Sequence, residues 1–213
     1  MSNIMIVDDH PLVRAGFAQL IGDTPDLKVC CEASNMASAL QWLDKITPDL
    51  AIIDLSLAGG SGLDLIEHIR ARNDKIMMLV ASMHDESLYA ERVLSAGAQG
   101  YVNKQEAQEK IIKAIRHVLG GKIYLSNNMT ERILSNMVRG PEDRQGIHAL
   151  SNRELQVFEM IGQGVAPGKM AKQLNLSIKT IETHQAHIKK KLGLTSTHTL
   201  THRAIRWVLE QER

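Results

Sequence analysis

Pro48-Asp49-Leu50-Ala51-Ile52-Ile53-Asp54-Leu55-Ser56 decides how the rest of the chain is read. Residues 50–53 form an apolar run of strand length that drives straight into a carboxylate. Small, loose residues follow it (Ala58-Gly59-Gly60-Ser61-Gly62). A continuous apolar run of this kind marks a strand buried on both faces, as in a parallel sheet covered by helices. Asp54 then stands at the C-terminal end of that strand, where open α/β sheets bind their ligands.

Outward from this strand the pattern repeats. Further strands are expected over residues 4–7, 27–32, 76–81 and 100–103. Each is followed by a helical segment. Pro11 opens the first helix, with Leu12, Ala15, Gly16 and Leu20 as its packing face. Asn35 caps a helix reaching about residue 46, with Ala39, Leu40 and Leu43 inward. The others cover 62–70, 85–96 (stopped by Gly97) and 106–119 (closed by Gly120-Gly121). Five alternations describe a (βα)5 unit with a parallel sheet and right-handed crossovers.

The strand ends carry Asp8 and Asp9, then Asp54, Ser82 and Lys104. If these strands are neighbours, all five side chains converge on one edge of the sheet. Three carboxylates held together repel, and a hard divalent cation relieves the repulsion, with Mg2+ the best match. A lysine and a hydroxyl beside it complete a clamp for phosphoryl oxygens, with Asp54 as nucleophile. Competing motifs fit badly. Gly60 and Gly62 do not open a GxGxxG, because Leu65 stands at its last position, and no GxxxxGK[ST] occurs.

The chain has 213 residues, 44% hydrophobic and 23% charged, the composition of a soluble globular protein. Its near-neutral charge is unevenly spread. Residues 1–124 carry 12 Lys and Arg against 16 Asp and Glu, a net −4; residues 125–213 carry 13 against 8, a net +5. Two domains with different partners are expected, the second binding nucleic acid. Cys30 and Cys31 are adjacent in a strand-like run, so on a regular strand they point to opposite faces and no bridge between them is expected. They read as buried thiols in a reducing compartment. Neither a signal peptide nor a bilayer-spanning run is present, so a cytoplasmic protein with no membrane partner is expected.

Residues 122–149 are polar and break at Gly140-Pro141-Glu142-Asp143. Inside them a short helix is expected, with Ile133, Leu134 and Met137 on one face. From Leu150 onward only helices are expected. Ser151 and Glu154 form a capping box ahead of Leu155, Phe158, Met160 and Ile161, and Gly162 and Gly164 end that helix. A second helix starts at Pro167, with Met170, Ala171 and Leu174 inward, and Asn175 closes it. Ser177 caps a third over 178–192, ended by Gly193, and a fourth covers about 196–209.

A short helix, a tight turn and a longer Lys-rich helix make a helix-turn-helix, whose second helix lies in the major groove. Ile181, Ile188 and Leu192 face the core, leaving Lys179, Thr180, Glu182, Thr183, Gln185, Ala186, His187, Lys189 and Lys190 toward double-stranded DNA or solvent. Lys179 and the run Lys189-Lys190-Lys191 suit phosphates. Glu182, Thr183 and Ala186 are better placed to read bases.

Two resemblances follow from these residues. Val7-Asp8-Asp9-His10, Ile53-Asp54-Leu55, Ala81-Ser82 and Tyr101-Val102-Asn103-Lys104 resemble a two-component receiver domain over about residues 1–124. The resemblance implies a flavodoxin-like fold with Mg2+ held by Asp8, Asp9, Asp54 and the Ser56 carbonyl. It implies that Asp54 accepts a phosphoryl group from a sensor histidine kinase. Ser82 matches the switch hydroxyl, Tyr101 the switch aromatic and Lys104 the phosphate-pairing lysine.

Leu150-Ser151-Asn152-Arg153-Glu154, Met170-Ala171, Leu174, Lys179-Thr180-Ile181-Glu182-Thr183-His184 and Lys191-Leu192-Gly193-Leu194 resemble the LuxR-type helix-turn-helix, an all-α four-helix domain over 148–213 after a linker at 125–147. Together they are similar to the NarL/FixJ family of response regulators. This implies a non-enzymatic transcriptional regulator that dimerises on DNA, with phosphorylation shifting dimerisation and freeing the DNA-binding domain. The alternative is a regulator whose receiver answers to a protein partner independently of phosphate. Some members of the family carry lysines where Glu182 and Ala186 stand here, so their operator preferences do not transfer.

Overall fold

The structure is a computed structural model describing residues 1–57, 60–139 and 146–211. The chain divides into two compact units, Met1–Ser135 and Asn136–Arg213. In the first, five strands pair in parallel: β1 (Ser2–Val7), β2 (Leu27–Ala33), β3 (Leu50–Ile53), β4 (Met77–Ser82) and β5 (Gly100–Asn103). Their order is β2-β1-β3-β4-β5. Helices α1 (Pro11–Gly22), α2 (Met36–Leu43), α3 (Gly62–Arg72), α4 (Glu86–Ala96) and α5 (Gln108–Leu119) connect or follow them.

β3 is buried along its whole length, as its unbroken apolar run predicts. Ile4, Ile6, Leu50, Ile52, Leu79 and Ala81 meet Phe17 and Ile21 of α1 and Ile111, Ala114, Ile115 and Val118 of α5. The alternate residues Met5, Ala51, Ile53, Met78 and Val80 are equally buried. With a side-chain period of two they face the opposite side, which right-handed crossovers leave to α2, α3 and α4. Strand order reverses between β1 and β3, and a crevice opens at such a reversal, beyond the carboxyl ends of the strands.

Several local expectations are corrected. On α1 the buried residues are Phe17 and Ile21, with Val13 and Leu20 packed beside them; Ala15 and Gly16 are exposed and Leu12 is 88% exposed. α2 ends at Leu43 rather than near residue 46, although Asn35 caps it through the Ser38 N–H. A helix α6 (Asn127–Arg139) does form, but Met129 is its buried residue within the first unit, Ile133 is half-buried and Leu134 exposed. The Met137 side chain and the break at Gly140–Asp143 lie outside what is described.

The β1–β2 ladder also departs from expectation. Ile4 pairs with Val29 but Met5 pairs with Cys31, so Cys30 is the extra residue of a β-bulge. Cys30 and Cys31 therefore do not point apart: their Sγ atoms lie 3.6 Å from each other as free thiols.

The second unit holds α7 (Asn152–Gly162), α8 (Pro167–Gln173), α9 (Ile178–Leu192) and α10 (Thr197–Gln211). The Ser151–Glu154 capping box forms, Ser177 caps α9 through the Thr180 N–H, and Asn175 takes the left-handed conformation (φ 53°) that ends α8. Leu155, Phe158, Met170, Ile181, Ile188, Leu200, Ala204 and Trp207 build its core, with the Phe158 and Trp207 rings 5.6 Å apart.

Gly162 has a reason beyond ending a helix. A Cβ there would stand 2.5 Å from the Ala204 carbonyl oxygen, so the backbones of α7 and α10 approach each other closely at this point. Gly162→Ala is expected to destabilise the helical unit by about 1–3 kcal/mol through overpacking. Urea unfolding followed by Trp207 fluorescence in a Trp42→Phe background checks it, and an unchanged midpoint would refute the close-packing account.

Candidate functional site

The reversal of strand order brings the acidic strand ends together. Val7 pairs with Ile53, so the residues that follow, Asp8 and Asp54, leave adjacent strands side by side. Their backbones are tied in: the Asp54 N–H donates to the Val7 carbonyl at 2.8 Å and the Asp8 N–H to the Ala33 carbonyl at 3.1 Å. Both side chains are buried, at 2% and 3% exposure, and Asp9 is partly so.

Lys104, the residue after β5, reaches across β4. Its Nζ lies 2.7 Å from Asp8 Oδ2 and 2.9 Å from Asp54 Oδ2, while its N–H donates to the Ser82 carbonyl at 3.0 Å. Burial pushes the Asp54 carboxyl above the ordinary carboxylate value. The Lys104 ammonium offsets part of that shift and the neighbouring Asp8 adds to it.

Asp8, Asp9, His10 and Asp54 offer ligand atoms all within 4.8 Å of one another. Asp9 Oδ1 is buried without a hydrogen bond, although His10 Nδ1 stands 2.7 Å away. An orphaned carboxylate oxygen beside two buried carboxylates is a donor set for a hard cation, because oxygen ligands of that charge suit Mg2+.

Ser82 is fully buried at the end of β4, and its Oγ accepts from the His84 N–H at 3.3 Å. The Tyr101 ring is turned inward, and its hydroxyl donates to the His84 carbonyl at 2.6 Å. Burial pushes that phenol up from its ordinary value. Ser56 is exposed, and its Oγ lies 2.8 Å from His84 Nε2. The loop after β4 thus touches both the loop after β3 and the Tyr101 hydroxyl.

Gly62 stands against the site from behind. A Cβ there would fall 2.0 Å from the Asp54 carbonyl oxygen and 2.7 Å from Leu55 Cα, so only glycine admits this path.

In the helical unit α9 buries Ile181 and Ile188 and leaves Lys179, Glu182, Thr183, Ala186, His187 and Lys190 exposed. Thr180, Gln185, Lys189 and Leu192 are half-buried. Lys191, grouped with its neighbours for phosphate binding, turns instead to α7: its Nζ lies 2.6 Å from Glu154 Oε2, which also accepts from the Ser151 N–H at 2.7 Å. Burial raises the Glu154 carboxyl, but Lys191 and the Ser151 N–H together outweigh it and hold the group below its ordinary value. His184 Nδ1 is buried with no hydrogen bond, and burial lowers that ring's pKa.

Comparison with known proteins matches this arrangement in both units. Residues 4–116 match the response regulator receiver domain, and residues 148–204 match the bacterial regulatory proteins of the luxR family. The chain belongs to the NarL/FixJ family of response regulators. It is 32% identical over 206 residues to the response regulator UvrY of Escherichia coli strain K12, covering 97% of this chain and 94% of that one. It is 35% identical over 203 residues to the transcriptional regulatory protein UhpA of Salmonella typhimurium, covering 95% and 97%. RcsB from Salmonella enterica serovar Typhimurium, solved bound to promoter P1flhDC in the presence of the phosphomimetic BeF3−, superposes with a TM-score of 0.72 at 27% identity, covering 95% of this chain and 98% of that one.

Three features of this response regulator escaped sequence reasoning. His10 was visible beside the acidic pair, but nothing in the pattern places its ring on Asp9. His84 lies two residues past Ser82, and its pairing with Ser56 joins two loops that carry no mutual signal. Lys191 sits in a lysine run, and its partner is 37 residues away.

Lys191→Met is expected to cost the helical unit about 2 kcal/mol, the scale of a hydrogen bond to a charged group. Glu154 is depressed in the folded state, so its contribution is present above the unfolded value of about 4.3 and is lost as pH falls through the lower folded one. Urea midpoints taken from neutral pH into acid should show the gap between wild type and variant closing. A gap independent of pH would count against the pair.

Proposed function

We infer that this chain is a DNA-binding transcriptional regulator switched by phosphorylation of Asp54. The observation that carries the reading is Lys104 Nζ held between the Asp8 and Asp54 carboxylates at the crevice of the sheet. In outline, an Asp54 carboxylate oxygen forms a bond to phosphorus as the P–N bond to a kinase phosphohistidine breaks, and the released imidazole takes up a proton. Asp8, Asp9, Asp54 and the Ser56 carbonyl hold Mg2+, which when bound neutralises carboxylate and phosphoryl charge. Lys104 gives its ammonium to the phosphoryl oxygens, and Ser82 turns its hydroxyl to them.

Movement of Ser82 alters the loop carrying His84, and with it the seat of the Tyr101 hydroxyl. This is a population shift between two states of the α4–β5–α5 surface, and it changes dimerisation or frees the DNA-binding domain. Functionally the receiver spans residues 1–124, the linker 125–147 and the DNA-binding domain 148–213. On α9, Lys179, Lys189 and Lys190 bind phosphates. Thr180, Glu182, Thr183, Gln185, Ala186 and His187 lie toward the bases or the groove wall. The likeness to RcsB, also solved as two dimers bound to two parallel DNAs, supports binding as a homodimer, with α10 joining the two copies on DNA. No helix among the described residues is long and apolar enough to cross a membrane, and the reading places the protein in the cytoplasm.

Asp54→Ala is expected to abolish labelling by acetyl phosphate with Mg2+, and retained labelling would move the acceptor elsewhere. Beryllofluoride with Mg2+ should shift mass and DNA affinity of the wild type and leave Asp54→Ala unmoved. If both proteins bind DNA alike with and without it, a protein partner controls the receiver instead.

Removing the charge of Lys179 or Lys190 should weaken DNA binding. It should also flatten the dependence of log K on log salt by about 0.9 for each phosphate that the variant no longer neutralises. An unchanged slope would remove that residue from the phosphate set.

A further inference from the structure

Cys30 and Cys31 take no part in the acidic cluster or the DNA-facing helix, yet their geometry is unusual for neighbours on a strand. The bulge at Cys30 removes one step of the side-chain alternation and brings the two sulfurs within 3.6 Å. The Cys30 thiol donates to the Ile4 carbonyl at 3.4 Å, which leaves the Cys31 S–H to donate to Cys30 Sγ. Cys30 is half-buried, whereas Cys31 is 6% exposed. Of the two residues, Cys30 is the more open to solvent.

We propose that Cys30 and Cys31 form a vicinal dithiol site that chelates trivalent organic arsenicals. Two distances separate this from a disulfide. Oxidation would have to draw the sulfurs together to about 2.05 Å between Cα atoms about 3.8 Å apart, below the usual disulfide span of about 4.4–6.8 Å. Arsenic(III) is pyramidal, and its lone pair closes the bond angles below tetrahedral, so with bonds of the zinc-thiolate length of about 2.3 Å it spaces two sulfurs by no more than about 3.8 Å. The observed separation of 3.6 Å lies within that limit, so chelation needs far less movement than a disulfide.

Zinc itself calls for four ligands in a structural site. Among the described residues, groups of three or more His, Cys, Asp and Glu side chains in ligating reach occur only at the acidic cluster. A monosubstituted arsenic(III) centre needs two sulfurs and no more. In the reaction an arsenic oxide R–As=O meets both thiols. Two As–S bonds form, the bonds between arsenic and oxygen break, and the two thiol protons leave with that oxygen as water. Arsenic and sulfur keep their oxidation states. Burial, and the neighbouring Cys30, raise the Cys31 thiol to about 12. That withdraws it from thiolate-dependent oxidation but not from a condensation in which the oxide takes the proton.

The test uses phenylarsine oxide on the full chain, read by intact mass under native conditions and by the Tm of the first unit. The wild type should take up one phenylarsenic group with loss of two hydrogens. It should hold that group against excess glutathione and release it to a vicinal dithiol such as dimercaprol. Because an unfolded chain also carries both thiols, Tm decides which state binds: preferential binding to the folded protein raises it. Cys30→Ser, at the half-buried position, and Cys31→Ser should each lose the glutathione-resistant adduct and the Tm rise. The proposal is overturned if no adduct forms, if glutathione strips it, if Tm falls or stays unchanged on binding, or if the adduct survives in either variant.

Discussion

One ammonium group sets the terms at the functional end of the first unit. Lys104 Nζ lies within 2.9 Å of two carboxylates, on Asp8 and Asp54, that are almost wholly withdrawn from water. Removing a carboxylate from water costs several kcal/mol, and placing two side by side adds their repulsion. A single cation between them offsets both terms. Because β4 separates β3 from β5 in the sheet, the lysine must span it, and so one side chain ties the ends of β1, β3 and β5. Under the proposed phosphorylation, a phosphoryl group on Asp54 would compete for that same cation, and a chemical change at one atom would be felt on three strands.

The backbone around the site is held as tightly as the charges. The Asp54 N–H is bonded to Val7, and the path after Asp54 is pressed against Gly62 so closely that no side chain fits. The Gly62 N–H returns a bond to the Leu55 carbonyl at 2.9 Å. The loop after β4 is more open to solvent. Met83 is exposed there, and the His84 main chain accepts from the Tyr101 hydroxyl. Under the proposed function, a rigidly held Asp54 faces the loop that seats the Tyr101 hydroxyl, the division expected where a local event must change a distant surface.

Much of this was legible before the structure. The unbroken apolar run of β3 could only be a strand covered on both faces. The charged or hydroxyl residues closing four of the five strands then pointed to the site, since strand ends in such sheets meet at the reversal of order. What stayed hidden has physical reasons. α1 carries apolar residues on more than one side (Leu12, Val13, Ala15, Phe17, Ala18, Leu20, Ile21), so periodicity alone could not choose the buried face. A one-residue slip in pairing leaves no trace in composition, which is why Cys30 and Cys31 read as pointing apart. The pairing of Ser56 with His84 depends on two loops meeting, and loops carry no pairing code.

The lysine run of α9 shows a signal that was present and passed over. At 3.6 residues per turn, Lys179, Thr183, Ala186 and Lys190 fall on one face, opposite Ile181 and Ile188. Lys191 falls with His184 on the flank nearer the core, so its charge was bound to meet something on a neighbouring helix. Glu154 was already recognisable as the capping residue of α7. Its carboxylate, once buried by the packing of α7 on α9, needs more than one N–H to be satisfied. Glu154 therefore completes the cap of α7 and ties Lys191 to it, while the burial of Ile181 and Ile188 sets the roll of α9 and so the side chains it can offer to a groove. The positive charge available to nucleic acid is set by helix phase, not by the number of lysines.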